Sequence, residues 1–146
     1  MLKRTIVALV LLVAASGHVR AQDGRATSLA RAFQQDATRD DAPGVVKPVV
    51  LQSRSPTYTA DAMRVRVQGS VDVQVVVGVN GSVVRARVVK VAWSGEGDET
   101  HHFTEATPGL ITNALTAAKA STFRPGTVNG TPAPVMTTMT LTFTLH

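Results

Sequence analysis

The chain has no cysteine among its 146 residues. That excludes disulfides, metal–thiolate sites and a cysteine-borne lipid anchor. Aromatic residues make up only 4%, so aliphatic side chains must build the core, and valine supplies most of them. A valine-rich core points to β-structure. Charged residues are 17% against 44% hydrophobic, a balance that allows one packed domain plus a tail. A Gly-x-Ser-x-Gly elbow, a P-loop and a His-Glu-x-x-His helix are all missing. With no convergent set of acid, base and nucleophile, the chain is expected not to be an enzyme and to need no cofactor or metal.

The sequence also lacks an apolar run of the roughly 20 residues that a spanning helix needs. Its N-terminus instead reads as a secretory signal peptide over residues 1–21. Met1-Leu-Lys-Arg4 is basic, Thr5 to Ala15 is short and uncharged, and Val19-Arg-Ala21 places small residues at the -3 and -1 positions of a cleavage site. The alternative is an uncleaved inner-membrane anchor. Cleavage after Ala21 removes Lys3, Arg4 and Arg20, three of the 15 cationic residues, and none of the 10 acidic ones, so the formal charge of +5 falls to about +2. The high isoelectric point therefore implies no nucleic-acid partner.

Residues 22–47 are polar, Ala-rich and charge-mixed, and read as a flexible leader. The folded domain is expected over residues 48–146. Thr59 is placed to cap a short helix that opens with Ala60 and Asp61. Val65 to Val79 then alternates apolar and polar residues as a half-buried strand. Asn80-Gly81 predicts a type I′ turn, and Ser82 to Val91 returns as the second strand of a hairpin. Its phase breaks at Val89-Lys90-Val91, where a bulge is expected. Ala92 to Ala106 has no period and reads as a loop. Thr107-Pro108 looks like a helix start, with Leu110, Ile111, Ala114, Leu115 and Ala118 on one face. Val135 to Leu145 alternates again, with a Thr-lined opposite face. The expected fold is α+β, a two-layer arrangement of a three-stranded antiparallel sheet with two helices on one face.

Several local features have two readings. His101-His102 with Glu96, Asp98, Glu99 and Glu105 offers a metal site or a solvated loop, and the spacing fixes no third ligand. Arg85, Arg87, Lys90 and Arg124 form either a basic patch or an ordinary solvated face. Trp93 is a partner anchor or a cover for the sheet edge. Asn80-Gly-Ser82 and Asn129-Gly-Thr131 match the glycosylation sequon but are accounted for as turns.

The ordered motifs along residues 48–146 resemble the C-terminal domain of the TonB family of bacterial energy transducers. Pro56-Thr-Tyr58 matches the family's Pro-x-Tyr element before a short helix. Gly69-Ser-Val71 matches its Gly-x-Val strand entry, and Asn80-Gly81 its hairpin turn. Phe123-Arg-Pro125 follows the helix, and Asn129-Gly130 with Pro134-Val135 opens the last strand. Three features depart from the family. Ser121 stands where an aromatic is usual, the 92–106 loop is longer and more acidic, and a Pro-rich spacer is missing. The resemblance implies a periplasmic, non-enzymatic protein that binds a segment of a TonB-dependent outer-membrane transporter by strand addition. If the chain is anchored, it also implies coupling to an inner-membrane proton-driven complex. The docking strand would be Thr137, Thr138, Met139, Thr140, Leu141, Thr142, Phe143 and Thr144. The alternatives are a soluble adaptor without energy transduction, and an edge covered by the leader or by a second copy in a homodimer.

Overall fold

The computed structural model of the chain describes residues 31, 33, 35–94 and 100–146, and the side chains of all of these but 100–108. The signal segment and the cluster of His101, His102, Glu96, Asp98, Glu99 and Glu105 lie outside the described side chains. The fold belongs to the second of two units, Gln34–His146.

Valine alternation builds the centre of this unit. Strand β4 (Gln68–Val77) pairs antiparallel with β5 (Val83–Ser94) on one side and with β9 (Val135–Phe143) on the other. Val71, Val73 and Val75 of β4 point to one face with Met139, Leu141 and Phe143 of β9, and all six are buried. The opposite face carries Asp72 and Gln74 with Thr138 and Thr140. Here the Thr140 hydroxyl donates to Asp72 (2.7 Å), and the Arg87 guanidinium donates to Gln74 (2.6 and 2.9 Å). The expected break in β5 is real: Asp72 faces Lys90 and Val73 faces Val88, which leaves Val89 as the bulged residue.

Among the described residues of this unit, two helices accompany the sheet. Helix α1 (Ala60–Arg64) is capped as expected, with the Thr59 hydroxyl accepting from the Ala62 N–H (3.2 Å). Helix α2 (Thr100–Ala120) buries Leu110, Ala114, Ala117 and Ala118 against β4 and β5. The loop reading of residues 92–106 is corrected at both ends. Strand β5 continues to Ser94, and α2 begins at Thr100, so Pro108 lies inside the helix and not at its first turn. Gly109 has a packing reason: a Cβ there would lie 2.7 Å from the Thr59 Cγ2, where α1 meets α2.

The fold is α+β, but three strands do not exhaust its sheets. Strand β1 (Thr38–Arg39) adds in parallel to the start of β9, giving the order β1-β9-β4-β5. Strands β2 (Val45–Val46), β7 (Thr127–Val128) and β8 (Thr131–Pro132) form a second small sheet. Strands β3 (Val49–Gln52) and β6 (Thr122–Arg124) form a third. Two-residue strands carry too little alternation to be read as a period; β1 and β2 take their register from partners far along the chain, and β7 and β8 from the turn between them.

Candidate functional site

The motif residues are brought together as a frame under β9. Tyr58 donates its hydroxyl to the Val67 carbonyl (3.1 Å), which ties the chain before α1 to the chain before β4. Burial raises its hydroxyl pKa above the ordinary value. Its ring meets Phe143 edge-on, with centroids 5.4 Å apart. Trp93 meets Phe143 on another side at 5.6 Å, so it covers the sheet rather than standing out as an anchor. Gly69 makes this possible. It sits between Trp93 and Phe143 in the pairing, with φ +151, and a Cβ there would lie 2.0 Å from the Ala92 carbonyl oxygen. Pro56 lies half-buried in the loop ahead of Tyr58.

The second part of the frame is the stretch after α2. Phe123 is 3% exposed, and its N–H donates to the Gly81 carbonyl (2.9 Å). The hairpin tip is thereby docked on β6, and the tip differs from the expected type I′ turn. Gly81 has φ +83 but Asn80 is not in the left-handed region, and the Gly81 N–H bonds the Gly78 carbonyl (3.0 Å). This is a turn over Gly78–Gly81 closed by a left-handed glycine, the longer hairpin solution. Asn80 spends its side chain on the Ser82 N–H (3.1 Å) and hydroxyl (2.7 Å). Pro125 packs beside Gly81. The second turn is as expected: Asn129 (φ 50) and Gly130 (φ 82) both adopt positive φ between β7 and β8. Ser121, where the TonB family usually has an aromatic, is buried; its hydroxyl donates to the Ala117 carbonyl (2.9 Å) and accepts from the Arg54 N–H (3.2 Å).

The frame presents the free edge of β9. The Pro134 and Met136 carbonyls accept from the Thr38 and Asp40 N–H groups of the leader (3.0 and 3.1 Å). Backbone groups alternate sides along a strand, so the even-numbered residues of β9 face this edge and the odd-numbered ones face β4. Thr138, Thr140 and Thr142 thus turn N–H and C=O outward with no strand beside them among the described residues. Of the eight sequence candidates, Met139, Leu141 and Phe143 are core residues, whereas Thr138, Thr140, Thr142 and Thr144 are exposed. Thr137 is held by the leader, donating its hydroxyl to Asp40 (2.6 Å).

The other sheet edge is different. Strand β5 is longer, but its register to β4 shifts twice, whereas β4 and β9 stay in register from Gly69↔Phe143 to Val77↔Val135. Bulges blunt an edge against added strands. The cationic residues do not form one patch: Arg87 is bound to Gln74, Arg85 donates to the Gln35 carbonyl, Lys90 faces Asp72 across the ladder, and Arg124 lies on β6. A groove of about 210 Å³ lies between Arg54–Thr57 and the C-terminal half of α2. One of its polar groups, the Asn113 amide, is already turned to the protein, donating to the Thr57 carbonyl (2.7 Å).

No family model matches the chain, and no curated protein does. Among solved structures, the chain is similar to the solution NMR structure of the TonB CTD of Pseudomonas aeruginosa. The two are 18% identical over 74% of this chain and 93% of that one, with a TM-score of 0.38. At that score the superposition decides neither fold nor function.

Proposed function

We propose that the chain is a TonB-family binding module of the periplasm, without catalytic activity of its own. It takes an extended segment of a TonB-dependent outer-membrane transporter onto the outer edge of β9. The observation that carries this reading is the bulge-free run of β9, whose residues Thr138, Thr140 and Thr142 offer their backbone groups to an added strand. The order of motifs from Pro56 to Val135 supports the family assignment. Whether the module also transmits force from a proton-driven inner-membrane complex depends on an N-terminal anchor.

The test uses one position and two replacements. Proline at 140 removes an outward N–H and is tolerated on an edge strand. Valine at 140 keeps the N–H and loses the hydroxyl bond to Asp72. The probe is a synthetic peptide carrying the N-terminal periplasmic segment of a TonB-dependent transporter. Thr140→Pro should abolish binding and Thr140→Val should retain it, with both variants folded by circular dichroism. Undiminished binding by the folded Thr140→Pro variant would refute docking at this edge.

A further inference from the structure

The leader occupies the head of the edge just described. Thr38–Arg39 pairs with Val135–Met136 and stops there. The chain then turns away, with the Ala42 N–H bonded to the Arg39 carbonyl (3.1 Å). Four separate contacts hold this corner. Two are the backbone bonds to Pro134 and Met136. The third runs from Thr137 to the Asp40 carboxylate, and the fourth from the Arg85 guanidinium to the Gln35 carbonyl. Arg85 stands on the outer sheet face beside Val76, which pairs with Met136. Val76 and Met136 are 0% and 4% exposed although they belong to the outward, otherwise polar face. The Arg85 contact places Gln35 at this end of that face.

Resting on the docking reading above, we infer that the leader segment Gln35–Asp40 is a fixed stop that sets the register and length of the docked strand. A partner strand begins beside Thr138, end to end with β1, and does not replace it. The available template is then Thr138 to Thr142, about 17 Å at about 3.4 Å per residue. It fits a partner segment of about five residues in extended conformation. Further residues on the leader side of the partner find no free backbone group on β9.

The lack of cysteine makes a clean test possible. Thr38 and Val135 are paired residues, and adjacent strands bring Cα atoms within the span of a disulfide. The full chain carrying Thr38→Cys and Val135→Cys is titrated with the transporter-segment peptide, oxidised and reduced. A fixed stop gives the same affinity in both states, within about twofold. Binding weakened about tenfold or more by oxidation, and restored by reduction, would overturn the inference, because the leader would then have to leave. Binding by neither state while the unmodified chain binds would mean that the substitutions damage the edge. The wild-type protein decides that case by amide exchange. The Thr38 and Asp40 N–H groups should keep their protection when peptide is bound, and losing it would overturn the stop. No binding even to wild type would fell the docking reading itself.

Discussion

Replacing Gly69 by alanine should cost far more than replacing Gly130, although both glycines have positive φ. Gly69 (φ +151) has the Ala92 carbonyl oxygen 2.0 Å and the Trp93 Cε3 2.9 Å from where a Cβ would stand. The oxygen belongs to the ladder partner's backbone and cannot rotate away. Gly130 (φ +82) has nothing within 4 Å of that point. The backbone penalty for an L-residue is about 1 kcal/mol at Gly130, near the left-handed region, and about 1–3 kcal/mol at Gly69, whose φ lies well beyond it. Overpacking adds about 2 kcal/mol at Gly69 alone. A domain of this size loses about 4 °C of Tm per kcal/mol, so Gly69→Ala should melt about 12–20 °C lower and Gly130→Ala about 4 °C lower. Thermal unfolding followed by circular dichroism and by the emission of Trp93, the one tryptophan, measures both. The emission of Gly69→Ala should also shift at low temperature, since the indole has to move. Equal losses in the two variants would refute the close approach across β4 and β5.

Two further predictions concern the frame. Phe123 is almost fully buried, so Phe123→Ala should destabilise the protein by about 3–5 kcal/mol in urea unfolding; a loss below about 1 kcal/mol would mean that Phe123 is not a core anchor. Tyr58→Phe should cost about 1 kcal/mol at neutral pH through the lost bond to Val67. Burial raises the Tyr58 pKa above its ordinary value of 10.0, so its contribution is complete below about pH 10 and is lost as pH rises through the raised folded value. The wild type should therefore lose its advantage over Tyr58→Phe above about pH 10, and an advantage that persists unchanged to about pH 11 would contradict this assignment.

Strands β4 and β9 are legible in the sequence because each buries one face for most of its length, and alternation of apolar residues with Asp, Gln or Thr records that directly; β5 is legible from its alternation with Arg85 and Arg87, although Ala86 and Val88 are only partly buried. The bulge at Val89 was legible for the same reason, as a change of phase. Where a signal has two physical causes, the structure departs from the sequence expectation. Pro108 suggests a helix start because proline is favoured at a first turn, but it lies within α2. Asn80-Gly81 suggests a two-residue turn because that dipeptide favours one. The docking of Gly81 against Phe123 accompanies a longer loop. Strands β1 and β2 left no trace, since two residues have no period and their partners lie some ninety positions away in sequence. For the same reason the sequence gives no hint that Met136 is covered while Thr138, two residues on, is open.

Which edge of the sheet takes a strand is the central question for this molecule. The measurement that tests it is a titration of isotopically labelled protein with the transporter-segment peptide, read at backbone amides. The amides of Thr138, Thr140 and Thr142 should shift and gain protection, while those of Val83–Ser94 and of Thr38 and Asp40 stay as they were. Shifts centred on β5, with β9 silent, would contradict the account.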